Sequence, residues 1–152
     1  MASSQRFEGI IIAHLGNIAG RQPKQENRFK YLKAALDAGW HVCADVVFYQ
    51  GSFLLPFDGG FNPAPPSFFS GQRVWSRCYN ADTLDALCNI GAHAFMDAEH
   101  MPTLTSSQFI WTPANRELSQ RSVAYLPETA EANWLDGYEP AGICTNEPSN
   151  YI

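Results

Sequence analysis

Among the side chains of this sequence that can move protons or hold ions, those at the ends of apolar runs are the ones a fold can bring together. His14 closes the run in Gly9–Asn17, GIIIAHLGN, just before a small-residue turn. Asp45 stands two residues after Cys43 in His41–Tyr49. Strand alternation turns Cys43, Asp45 and Val47 to one face and Val42, Ala44 and Val46 to the other, the arrangement a two-ligand metal strand requires. Asp58 follows Leu55-Pro56-Phe57, and Arg77 and Tyr79 lie in Arg73–Tyr79. Carboxylates of this kind suit a hard divalent cation, and an imidazole exchanges a proton near neutral pH. Asp97, Glu99 and His100 form a second polar group, but D-x-E-H is common in solvated turns and a hard cation needs more ligands than this. Neither G-x-x-x-x-G-K nor G-x-G-x-x-G follows a strand, and no G-x-S-x-G elbow is present. Cys43 beside His14 has the makings of a nucleophile, although a thiol in a packed interior is usually inert.

The elements that must carry these residues alternate at first. Gly9–Asn17 reads as a buried strand, because β-branched apolar residues bounded by a turn have that signature. Phe29, Leu32, Leu36 and Trp40 recur at helical spacing, which predicts a helix from about Asn27 to Ala38, stopped by Gly39. Strand His41–Tyr49, a turn at Gln50-Gly51 and a return strand Ser52–Pro56 follow. Phe57–Gly71 reads as one long loop, with Phe57, Phe61, Phe68 and Phe69 among glycines and prolines. Disordered segments are poor in aromatics. The loop is therefore either a lid over its own domain or a docking loop, with Phe61, Phe68 and Phe69 as the contacts. After strand Arg73–Tyr79, Asn80 caps a helix whose apolar stripe is Leu84, Leu87 and Cys88 and which ends at Gly91. His93–Asp97, Gln108–Thr112, Ser122–Leu126 and Ala141–Thr145 complete the strands, with connections too short for full helices between several of them.

Composition bounds the partners. With 152 residues the chain fits one domain, residues 1–152. A net charge of −5 without a basic cluster argues against nucleic acid or an anionic membrane surface, since both require a positive face. No apolar window has the length of a membrane span, and MASSQRFEG has no signal-peptide core. Charged residues make up 16%, against about 25% in ordinary soluble domains, which points either to a large core or to a surface covered by other subunits. Cys43, Cys78, Cys88 and Cys144 have no paired spacing, so reduced thiols and an intracellular compartment, cytoplasm or organelle interior, are expected.

Four segments together resemble the glycerophosphodiester phosphodiesterase family, in the family's order. IIAHLGN is similar to its opening IIAHRGN-type strand, Val42–Val46 stands where it has Glu-x-Asp, Leu55–Asp58 where it has Gly-His-Asp, and Ala141–Pro148 where it has GIITDxP. The resemblance implies a TIM-type (β/α) barrel. A full barrel of that kind takes about 250 residues, so this would be a compact, trimmed one with several helices shortened or missing, its bare outer wall a reason to expect a partner. The family holds Mg²⁺ or Ca²⁺ on carboxylates and uses two histidines as acid and base. His14, Asp45 and Asp58 match that pattern. Leu15 stands for an arginine, Cys43 for a glutamate ligand and Phe57 for the second histidine. Ser76-Arg77-Cys78-Tyr79 occupies the place of an Ile-Glu-Ile-Lys-type segment, putting a permanent cation where an anionic ligand belongs.

The resulting expectation is a non-catalytic domain with a remnant pocket of His14, Asp45, Asp58, Arg77 and Tyr79. Arg77 would pair with Asp45 or Asp58, with no cofactor, in an accessory subunit of a larger protein assembly. The alternatives are a metal-dependent phosphodiesterase using His14 and Asp45, or a module in which Arg77, His14 and Tyr79 hold a phosphorylated small molecule.

Overall fold

Ile10–His14 forms strand β1, and it is central because its partners on both sides are themselves apolar and extended. The computed structural model describes residues 6–152. The first five residues, on which part of the presequence reading rests, lie outside the described residues. Helix α1, Phe29–Asp37, leads into β2, His41–Asp45. The chain then leaves the main sheet for β3, Val47–Tyr49, β4, Ser52–Phe57, β5, Gly60–Ala64, and the four-residue helix α2, Pro66–Phe69. It returns with β6, Val74–Cys78, helix α3, Ala81–Asn89, and β7, His93–Met96. Strands β8, Thr103–Leu104, β9, Ile110–Thr112, β10, Ser122–Tyr125, and β11, Gly142–Thr145, complete it.

The main sheet has eight strands in the order β7-β6-β2-β1-β11-β10-β9-β8. All neighbours run parallel except β8, which is antiparallel to β9. The sheet curls until its edges almost meet. The amide of Ala94 on β7 donates to Ser106 Oγ, and the Ser106 amide donates to Ala94 O, both at 2.8 Å, just beyond β8. These bonds satisfy an edge that would otherwise expose unpaired backbone.

This is not the alternating (β/α) barrel expected. The fold is mostly β: helices α1 and α3 have nine residues each and α2 has four, and the later connections carry loops and 3₁₀ turns. The physical reason is length, because six residues between Met96 and Thr103 are too few to cross the sheet as a helix and return. Nor is the outer wall bare. Leu118, Ala124 and Ile143 pack beneath Phe7, Trp134, Leu135 and Tyr151, and the Trp134 indole N–H donates to Arg116 O at 2.7 Å. Irregular segments do the covering that helices do elsewhere.

The stretch Phe57–Gly71 is likewise not a long loop. Asp58-Gly59 makes a two-residue hairpin turn with Gly59 at φ 105°, a backbone region open to glycine, and β3-β4-β5 form a separate antiparallel sheet. The turn at Gln50-Gly51, with φ 49° and 79°, joins β3 to β4 as a type I′ turn should. Phe69 is fully buried and Phe68 packs against the same core with Phe53, Leu55, Val42 and Leu32. Of the three expected docking aromatics, only Phe61 is exposed. Helix α3 starts as expected, Asn80 Oδ1 accepting the Thr83 amide at 2.9 Å.

Inward-facing side chains fill the curled sheet: Ile12, Cys43, Trp75, Phe95, Trp111, Val123 and Cys144. Its floor is imidazole and indole. The Trp75 indole N–H donates to His41 Nδ1 at 3.1 Å, and His93 lies 4.0 Å from the Trp75 ring with Nε2 2.8 Å from Thr105 Oγ1. Among the described residues no helix is long and apolar enough to cross a membrane.

Burial pulls the His93 pKa down to about 4 and lowers His41 also, so both stay neutral at physiological pH. The unfolded chain takes up these protons first, from about pH 6.5 downward. The stability these rings retain above about pH 6.5 is therefore lost as pH falls toward 4. Urea titrations across that interval should give an unfolding free energy that falls with pH, and His93→Gln should flatten the slope.

Candidate functional site

At the carboxyl ends of β1, β2, β6 and β10 the parallel register brings four polar side chains over the packed interior. Asp45 pairs with Arg77 across β2 and β6. Arg77 Nε donates to Asp45 Oδ1 at 2.7 Å and a terminal nitrogen donates to Oδ2 at 3.3 Å. Its other terminal nitrogen donates to the Tyr125 hydroxyl at 2.9 Å, and Tyr79 donates its hydroxyl to Asp45 Oδ1 at 3.0 Å. The guanidinium lies over both tyrosine rings, 5.8 Å and 5.2 Å from their centroids. Tyr125 reaches on to His14, its oxygen 3.4 Å from Nε2.

Three of the sequence-derived partners thus converge with His14: Asp45, Arg77 and Tyr79. Asp58 does not, because it occupies the exposed tip of the β4–β5 hairpin. Phe57, standing where the resemblance places a second histidine, lies on that hairpin under the Arg28 guanidinium, 4.0 Å from its ring centroid. Asp97, Glu99 and His100 sit on a turn, with Glu99 and His100 exposed, and do not gather around one point. Leu15 takes φ 53° and donates its amide to Cys43 O, so the chain turns sharply after His14. Gly16 is required there, since a Cβ would stand 2.8 Å from the Tyr31 ring.

A second polar layer surrounds the mouth, and it escaped the sequence reading. Asn17 donates through Nδ2 to Glu26 Oε2 at 2.8 Å and to Asn146 Oδ1 at 2.9 Å, and accepts from the Tyr31 hydroxyl at 2.9 Å. Arg21 grips Glu26 with two bonds of 3.0 Å, which hold that carboxyl below its usual value against the opposing effect of burial. Asn27 donates to Asp45 O and Pro56 O and accepts from the Asp45 amide, tying the loop after β1 to the ends of β2 and β4. Glu128 accepts from Thr145 Oγ1 and the Asn146 amide, both at 2.8 Å. A carboxylate-amide pair at Glu26-Asn27, immediately before a helix, was the available signal. Tyr125 gave none beyond its place at a strand end.

No family model, curated protein or solved structure matches the chain.

Burial works against the charge of Arg77, and the charges of Cys43 and Asp45 outweigh it, so the cation is fixed. Burial raises both tyrosines, keeping Tyr79 and Tyr125 protonated. One layer deeper, Cys43 and Cys144 are fully buried beside His14, with Cys144 Sγ 3.9 Å from Nδ1. Burial alone would push the Cys43 thiol up, but bonds from Cys144 and His14 and the charge of Arg77 bring it down, while Cys144 is held up by burial and by its neighbour. The cavities of about 630 and 1150 Å³ lie elsewhere, beside α3 and at the starting ends of β1 and β11.

Chemically this mouth is a closed ion pair. Both carboxylate oxygens of Asp45 are engaged, and a metal approaching them would meet the guanidinium. Breaking one partner of such a pair costs roughly 3–5 kcal/mol because the other charge stays buried, whereas replacing both can be neutral. Arg77→Met should therefore lower the unfolding free energy by about 3–5 kcal/mol. Arg77→Met with Asp45→Leu should recover most of that loss in the same denaturation assay. A double variant as unstable as the single one would show that the pair is not the unit.

Proposed function

We propose that this chain is a non-catalytic, phosphodiesterase-like domain that serves as a structural or accessory subunit of an intracellular protein assembly. The observation that carries it is the bidentate capture of Asp45 by Arg77 at 2.7 and 3.3 Å. A hydrolase of the resembled kind needs Asp45 open to a hard cation and a second general acid or base beside His14. Here the carboxylate is occupied and Phe57 lies out on the hairpin. In support of the resemblance, three of its four segments lie on β2, β1 and β11, which are neighbours in the sheet. The fourth lies on β4, outside that sheet.

The docking part of the reading rests on the small sheet. Tyr49 on β3 and Phe61 on β5 are 60% and 61% exposed, in a chain of which only 16% is charged. Large exposed aromatics of this kind are what interfaces bury. The phosphate-binding alternative is less favoured, because three of the five N–H groups of Arg77 already donate to Asp45 and Tyr125 and the Asp45 carboxylate beside them repels an anion.

Titration calorimetry of the purified chain with Mg²⁺, Ca²⁺ or Mn²⁺ should give no stoichiometric binding. One equivalent bound, and lost in Asp45→Asn, would instead favour the metal-dependent hydrolase. In a gentle extract of its source cells the chain should run in a particle much larger than its 16.9 kDa, with defined companions. Phe61→Ser with Tyr49→Ser should release it at unchanged thermal stability. A free monomer in that extract would refute the accessory role.

A further inference from the structure

His14, Cys43 and Cys144 are held by β1, β2 and β11, and their Nδ1/Nε2 and Sγ atoms all lie within 4.8 Å of one another. Among the described residues no other His, Cys, Asp or Glu group gathers three such ligand atoms this closely. The convergence follows from the sheet. β1 pairs with β11 on one side and β2 on the other, Ile12 opposite Cys144 and His14 opposite Cys43. In a strongly curled sheet the inward side chains of alternate strands meet in one layer.

We propose that this cluster is a binding site for one soft, thiophilic d¹⁰ cation, Zn²⁺ or Cu⁺, at the top of the packed interior. Thiolate and imidazole are the donors such ions prefer, and they disfavour Mg²⁺ and Ca²⁺. Zn–S bonds of about 2.3 Å and Zn–N bonds of about 2.0–2.1 Å would require the three atoms to draw together by no more than about 1 Å. Cys144 Sγ and His14 Nδ1, at 3.9 Å, are already near that spacing. The imidazole is pre-oriented: Nε2 faces the Tyr125 hydroxyl, itself fixed by Arg77, so Nδ1 is left toward the sulfur.

Charge permits it as well. Arg77 is matched by Asp45; two thiolates with a neutral imidazole match Zn²⁺, and one thiolate, one thiol and the imidazole match Cu⁺, so either filled site carries no net charge into a dry interior. A disulfide is the competing fate of two nearby thiols. The two cysteines stand on strands separated by β1, so their backbones are about two strand spacings of 4.7–4.9 Å apart, beyond the usual reach of a disulfide. The ligands come from both ends of the sequence, so a bound ion would also clasp the first strands to the last.

The test uses the full chain, reduced and stripped with a chelator, and titrated with Co²⁺ as a spectroscopic stand-in for Zn²⁺. The expected result is a thiolate-to-cobalt charge-transfer band that saturates at one equivalent and is abolished by one equivalent of Zn²⁺. A parallel titration draws Cu⁺ from a chromophoric chelator. One equivalent taken up in either arm supports the site, and the arm with the tighter uptake names the ion. Cys43→Ser and Cys144→Ser should each weaken uptake at least 100-fold, and Cys88→Ser, an exposed thiol, should leave it unchanged. If the buried variants do not fold, the wild-type chain still answers through a melting temperature that rises with one equivalent of the ion. No uptake and no thermal shift in either arm would overturn the proposal, as would full uptake by a folded Cys43→Ser, Cys144→Ser double variant.

Discussion

The structure depends on a permanent positive charge held inside a curled sheet. A guanidinium cannot shed its proton, so Arg77 on β6 must find counter-charge wherever the strand places it. Asp45 supplies it from the neighbouring strand, Tyr125 takes the remaining terminal nitrogen, and Tyr79 shares the carboxylate. Because β2 and β6 are adjacent in register at that level, the pair also fixes how the two strands sit against each other. A buried ion pair contributes little net stability over an apolar packing of the same shape, but it penalises every arrangement that separates the charges. In this fold the pair joins the ends of β2 and β6 at one level and occupies the carboxylate of the mouth.

Beneath that pair the interior is graded. The layer at the ends of the strands is charged, the next holds His14, Cys43 and Cys144, and below it come Trp75, Phe95 and Trp111, with Phe95 and Trp111 stacked at 4.4 Å. His41 and His93 close the floor as neutral rings. Aromatics of this size let so short a chain fill the space inside eight strands, and the filled interior leaves its larger cavities on the outside. The separate β3-β4-β5 sheet and helices α1 and α3 cover the first half of the main sheet. Loops cover the second half.

Much of this was legible in the sequence where a local rule decides. The β-branched run marks β1, Asn80 and Gly91 bound α3, and alternation sets Cys43 and Asp45 on one face, but Val47, expected on that face too, opens β3 in the small sheet because β2 ends at Asp45. The resemblance, by setting Arg77 where an anionic ligand belongs, leaves Asp45 and Asp58 as its expected partners, and the structure pairs it with Asp45. What failed did so for identifiable reasons. Phe57–Gly71 reads as a loop on its prolines and glycines, although Asp58-Gly59 between two β-rich runs is a hairpin signal. The loop reading puts Phe68 and Phe69 onto the expected surface, whereas Asp58 enters the expected pocket through the resemblance, which aligns it with a site aspartate. The barrel expectation came from resemblance, and the shortness of the later connections already opposed it. Glu26, Asn27 and Tyr125 were missed because a polar loop and a strand-end tyrosine acquire meaning only when distant strands converge on them.

Position 43 ties the two halves of this picture together. Resemblance would put a carboxylate there, and a carboxylate beside Asp45 would give two hard anions for one divalent cation. With cysteine at 43 and arginine at 77 the same geometry divides differently. The hard anion is claimed by the guanidinium, and the soft donor turns inward toward His14 and Cys144. Neither residue alone makes a consistent site. Arg77 with a glutamate at 43 would leave one buried carboxylate in excess, and Cys43 without Arg77 would leave Asp45 uncompensated and the thiol without the cation that draws it toward thiolate. The two residues make physical sense as a pair: Arg77 closes the carboxylate at the mouth, and Cys43, one layer below, keeps its sulfur for His14 and Cys144.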